Sequence, residues 1–151
     1  MQMSVKGIKG AYIYEHGKTE PCGVIRGVYL SKDTGAVDLV LAETVSLIPI
    51  SRTVSVRDIE AISDKGAVLK KGVIFGGNEH FFKRQIKNDI FEDEISNVVQ
   101  SDNKPRIKGD MRFDFETGEI TEVVVNNGFF RKKNKIPINK MRIKDNTIYI
   151  E

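Results

Sequence analysis

The 151-residue chain reads as an all-β protein made of two small repeated units. Three observations predict this. Residues 111–125 spell out a hairpin: Met111, Phe113 and Phe115 alternate with Arg112 and Asp114, Glu116-Thr117-Gly118 makes the turn, and Ile120 leads into Val123-Val124-Val125. That is the period of a strand with one buried face, closed by a glycine free to take positive φ. Short runs of this kind recur at regular spacing between Gly, Asn and Asp turns, as in a small barrel or sandwich. Finally, the pattern repeats. Asp33-Thr34-Gly35-Ala36-Val37 matches Glu116-Thr117-Gly118-Glu119-Ile120 at an offset of 83 residues. At the same offset Val28 and Leu30 fall on Met111 and Phe113, and Val40-Leu41 on Val123-Val124. Val54-Ser55-Val56 falls on Ile136-Pro137-Ile138 one residue closer.

Taken in order, residues 5–14 read as a first strand, and 15–21 are turn chemistry rich in Gly, Pro and polar residues. A second strand spans 23–30 with Val24, Val28 and Leu30 as core candidates, and Gly35 turns it into a third over 36–42. Residues 43–49 cross to a short strand at 53–56. Residues 57–62 fit one helical turn or an irregular strand. Asp64-Lys65-Gly66 signals a hairpin into Ala67-Val68-Leu69. Residues 70–88 are the least regular, with glycines at 72, 76 and 77. The expected division is therefore a first unit over 1–75, a linker over 76–88 and a second unit over 89–151, each closing around its own interior. Residues 90–99 fit a strand, by analogy with the first unit, or a short helix from the spacing of Ile86, Ile90 and Phe91. After the 111–125 hairpin come an Asn126-Asn127-Gly128 turn, a basic loop at 131–135, and a last hairpin through Asp145-Asn146 into Ile148-Tyr149-Ile150.

Composition narrows the function classes. With 40% hydrophobic and 30% charged residues the chain is a folded domain, not a disordered one. Its 24 basic and 21 acidic residues nearly cancel, which argues against non-specific nucleic-acid binding driven by overall charge. A single cysteine, Cys22, cannot form an intrachain disulfide and suits a reducing, cytoplasmic setting. The opening residues have no apolar run, so no signal peptide is expected. Apolar stretches such as Leu47-Ile48-Pro49-Ile50 are far short of the roughly 20 residues that span a bilayer, so no membrane insertion is expected.

The recurring pattern is a glycine, two alternating apolar residues, Asp/Glu-Thr-Gly, a valine-rich strand, an apolar-x-apolar strand and a final Asp-Asn or Asp-Lys-Gly hairpin. It resembles the PRC-barrel, the small β-barrel named from the H subunit of photosynthetic reaction centres and similar to the C-terminal domain of the ribosome maturation factor RimM. Both units carry the pattern. No transmembrane helix and no separate N-terminal domain are expected ahead of them, and polar Glu43-Thr44 and Ser46 stand where the family often has a glycine-containing loop. The resemblance implies two tandem PRC-type barrels and a non-catalytic adaptor or scaffold, which binds a protein partner or itself, as a homodimer, through barrel surfaces. The alternative it implies is an RNA- or ribosome-associated assembly factor.

Candidate sites are few. His16 and His80 have no metal-ligand spacing to other ligands, so no metal or cofactor is expected. Cys22, between Pro21 and Gly23, reads as a small core residue rather than a nucleophile. The glycines of 72–77 lack the Lys-Ser/Thr ending of a phosphate cradle and read as a flexible segment between units. Asp110, Asp114, Glu116, Glu119 and Glu122 precede a stretch, 126–144, with seven basic residues and no acidic one. Cross-strand ion pairs between the two are one expectation. The other is a binding loop of Phe129, Phe130, Arg131, Lys132, Lys133 and Lys135, its cations neutralising phosphates and its rings stacking on bases. Neighbours in sequence assemble no acid, base, nucleophile and oxyanion set, so no enzyme is expected.

Overall fold

The computed structural model describes residues 1–63, 65–77, 83, 85–127, 132–137 and 140–151, with the backbone alone at 127 and 132–134. The first copy of the repeat contributes β1 (Gln2–Ser4), a one-turn helix α1 (Val5–Ile8), β2 (Tyr12–Tyr14), β3 (Gly23–Ser31), β4 (Val37–Thr44), β5 (Ser51–Ser55), a 3-10 turn at Val56–Asp58, β6 (Ile59–Ser63) and β7 (Gly66–Leu69). The second gives β8 (Asp89–Phe91), a 3-10 turn at Glu92–Glu94, β9 (Asn97–Val99), β10 (Pro105–Asp114), β11 (Ile120–Asn127), β12 (Lys132–Pro137), β13 (Met141–Lys144) and β14 (Thr147–Ile150). Among the described residues these strands form two seven-stranded sheets. One runs β5-β4-β3-β2-β7-β6 and the other β12-β11-β10-β9-β14-β13. The protein is all-β, and its two halves follow one plan.

The likeness reaches the irregularities. The β3–β4 ladder slips between Ile25 and Gly27 and again between Tyr29 and Leu30. The β10–β11 ladder slips between Lys108 and Asp110 and between Arg112 and Phe113, the same positions moved by 83 residues. Each bulge resets which side chains face inward. That is why Ile25 and Val28 are both buried while Val24, expected in the core, is only half-buried. The hairpin turns also match. Ser31 Oγ accepts the N–H groups of Asp33 and Thr34 at 3.2 and 3.4 Å, and Asp114 Oδ1 accepts those of Glu116 and Thr117 at 2.8 and 3.2 Å. Those two N–H groups hold the Asp114 carboxyl below its ordinary pKa.

The start of the chain departs from the expected single strand over 5–14. Ser4 breaks it by capping a helical turn: its hydroxyl accepts the Gly7 N–H at 3.1 Å, and Val5 and Ile8 are both buried. The equivalent segment, 90–99, is neither a continuous strand nor a helix, but two short strands flanking the Glu92–Glu94 turn.

Pairing crosses the expected division of the chain. β1 leaves its own copy and pairs antiparallel with β10, placing Met3 opposite Phe113. β8 does the reverse, pairing with β3 and placing Ile90 opposite Leu30. Each copy thus lends its first strand to the other's sheet. The two interiors are correspondingly not separate. Buried residues from Val5 to Ile150, including Leu30, Val37, Ile90, Met111 and Phe113, form one continuous apolar cluster. The expectation that each copy closes around its own core is corrected on this point.

The glycine-rich stretch at 72–77, read as flexible, packs on the first sheet. The Phe75 ring lies against Gly23, where a Cβ would come within 2.6 Å of it, and Val73 and Phe75 join the core cluster. A side chain at Gly23 would displace that ring.

Candidate functional site

β4 runs from Val37, whose N–H donates to the Gly118 carbonyl of the other copy at 2.7 Å, out to Thr44. Eight extended residues cover about 26 Å, so the loop joining β4 to β5 lies at the end remote from the contact between copies. This loop, 45–50, reads Val-Ser-Leu-Ile-Pro-Ile. Leu47 is fully exposed and Ile48 is 80% exposed, with Val45 and Ile50 about half-exposed. The loop is not loose. The Thr44 N–H donates to the Ile50 carbonyl at 2.9 Å, and Thr44 Oγ1 accepts the Ile50 N–H at 2.9 Å. The Ser46 hydroxyl sits 2.9 Å from Thr44 Oγ1 and donates to the Ile48 carbonyl at 2.7 Å. Two hydroxyls therefore satisfy polar backbone of the loop, and the side chains left facing outward are aliphatic.

Sequence reasoning missed this tip. Residues 43–49 read as a crossover, whereas they end β4 and form a hairpin loop. The Leu-Ile-Pro-Ile run was visible, and so was its counterpart. The residues joining β11 to β12 carry Phe129-Phe130, so both hairpin connections hold an adjacent apolar pair.

Of the residues expected in a basic binding loop, Phe129, Phe130 and Arg131 lie outside the described residues. Lys132, Lys133 and Lys135 are not loop residues. They belong to β12, opposite Asn127, Asn126 and Val124 of β11. β12 is the outer strand of its sheet, and lysines on an outer strand deter edge-to-edge pairing. Of the cations of 126–144 whose side chains are described, Lys135, Lys140, Arg142 and Lys144, none pairs with the carboxylates of 110–122. Glu122 faces Arg112 at 3.8 Å within its own hairpin, and Asp110 accepts the Ser4 hydroxyl instead.

The remaining candidates stand apart from one another. His16 Nδ1 lies 3.3 Å from Glu60 in an exposed pair, and His80 lies outside the described residues. Cys22 is half-buried with its thiol donating to the Ile13 carbonyl at 3.3 Å, and burial pushes its pKa up. Among the described residues no group of three or more His, Cys, Asp or Glu is placed to hold a metal, and no helix is long and apolar enough to cross a membrane. A cleft of about 850 Å³ opens where the two Thr-Gly turns meet, lined by Thr34, Asp38, Arg57, Gln85, Thr117 and Glu119 among others. Among the described residues lining it there is no histidine or cysteine.

No family model and no curated protein sequence matches the chain.

Proposed function

We propose that the protein is a non-catalytic, cytoplasmic adaptor of the PRC-barrel type that recruits a protein partner, or a second copy of itself, through the 45–50 hairpin tip. The observation that carries this is the pair Leu47 and Ile48, held outward on a loop braced by the Thr44 and Ser46 hydroxyls. Ordinary surfaces keep such side chains scattered; an adjacent pair on a braced loop is suited to a hydrophobic pocket. Burying both is worth about 3–6 kcal/mol before the costs of association. That suffices for a weak, regulated contact and leaves room for strand edges to add to it.

The test compares the parent with the Leu47→Ser/Ile48→Ser double variant. Sedimentation over a wide concentration range reads self-association, and pull-down from the native cell with both baits reads partners. The variant is expected to lose the self-association or the partner while its unfolding free energy stays within about 0.5 kcal/mol of the parent, as for substitutions on an exposed surface. The same complex on both baits, or a strict monomer that retains nothing, would count against the adaptor.

A further inference from the structure

Asp89 sits at the start of the exchanged strand β8, opposite Ser31 of β3, with only 9% of its surface exposed. Its side chain meets that of Asp38 on β4, across β3. Asp38 Oδ2 accepts a hydrogen bond from Gln85 Nε2 at 2.9 Å, which ties the approach to β8 onto the same sheet. The other oxygens, Asp38 Oδ1 and Asp89 Oδ2, are buried without a hydrogen-bond partner among the described residues. Two carboxylates in contact and shielded from water cannot both carry charge; one proton between them turns the repulsion into a hydrogen bond.

We propose that Asp38 and Asp89 form a one-proton latch that fastens β8 to the first sheet and releases it when the proton leaves. The neighbouring charges relieve the pair only in part. Lys32 and Asp33 come from the β3–β4 turn, Glu94 from the turn after β8, Lys144 and Asp145 from the β13–β14 turn, and Arg57 from the turn after β5. Of these, Asp33 reinforces the pair's hold on its proton and Lys32 opposes it. Burial first, then the hydrogen bond and charge of Asp38, push the Asp89 pKa up to about 8 from its ordinary 3.8. Between those values the fastened strand keeps a proton that the released strand gives up. Fastening therefore weakens as pH rises through this window, about tenfold per unit, and changes no further above it.

Hydrogen exchange of the protected β8 amides, corrected for the intrinsic pH dependence of exchange, tests the latch between about pH 5 and about 8. In the parent, the opening constant is expected to rise about a hundredfold between about pH 5 and about 7 and to level off near pH 8. The β11 amides should keep their protection throughout, because β11 lies away from the pair. In Asp89→Asn the amide supplies a permanent hydrogen and the slope should vanish. Asp38→Asn, which removes the repulsion from the other side, should flatten it too and serves if the first variant does not fold. A flat profile in the parent, an unchanged slope in the folded variant, or β11 opening in parallel with β8 would each overturn the latch.

Discussion

Changing Lys108 to isoleucine alone is expected to cost about 3–5 kcal/mol in unfolding free energy, measured by urea denaturation. Lys108 and Glu92 pair at 2.9 Å with side chains only 8% and 5% exposed, and Lys108 also donates to the Glu92 backbone carbonyl. Lys9 joins them from the other copy, bonded to Glu92 and, at 2.8 Å, to Asp93. Removing Lys108 leaves the Glu92 carboxylate buried against a single, less buried cation. The first copy resolves the same place differently. Glu92, directly after the exchanged strand β8, takes the place that Val5 has directly after β1, and Lys108 falls on Ile25 at the 83-residue offset; Val5 and Ile25 are both buried and apolar. Copying that solution with Glu92→Val/Lys108→Ile should restore parental stability or exceed it, since well-packed apolar residues often replace a buried ion pair at no loss. A single variant within about 1 kcal/mol of the parent would mean that the pair is hydrated and carries little.

Gly118→Ala is the second large effect, about 2–5 kcal/mol. Roughly 1–2 of this comes from a side chain at positive φ and roughly 1–3 from overpacking. Gly118 has φ +78°, and a Cβ there would collide with the Val37 carbonyl oxygen of the other copy. The clash is with backbone, so no rotamer change relieves it, and the hydrogen bond from Val37 N–H to Gly118 would be disturbed as well. Gly72→Ala separates the two causes. Its φ is +85° with nothing within 4 Å of a built Cβ, so it should show the conformational cost alone. Equal losses in the two variants, by thermal unfolding, would remove the inter-copy contact from the account.

The repeat and the hairpins were legible because their signals are local. Alternation in 111–115, the Thr-Gly turns and the offset of 83 residues each fall within a few neighbours, and β3–β4 and β10–β11 follow them down to the bulges. The strand exchange was not legible. β1 and β8 have three residues each, too few for a periodicity, and their partners lie some hundred and some sixty positions away. Lys132, Lys133 and Lys135 read as loop because strand propensity disfavours them, while an outer strand tolerates lysine for its effect on neighbours rather than on itself. The aliphatic tip is not legible because a run as short as Leu47-Ile48-Pro49-Ile50 fits a buried crossover as well as an exposed loop, and only the β4–β5 pairing turns it outward. Asp38 and Asp89 carry no signal in sequence; only folding brings β4 and β8 to opposite edges of β3.

With β1 and β8 each paired into the other copy's sheet, the peptide link between the copies should be dispensable once folding is complete. A protease site placed at 78–82 and cut in the native state should yield fragments that migrate as one species on gel filtration and separate only in denaturant. The fold is in this sense a clasped heterodimer that happens to be encoded as one polypeptide. Gene fission into two interlocking subunits would need no new interface.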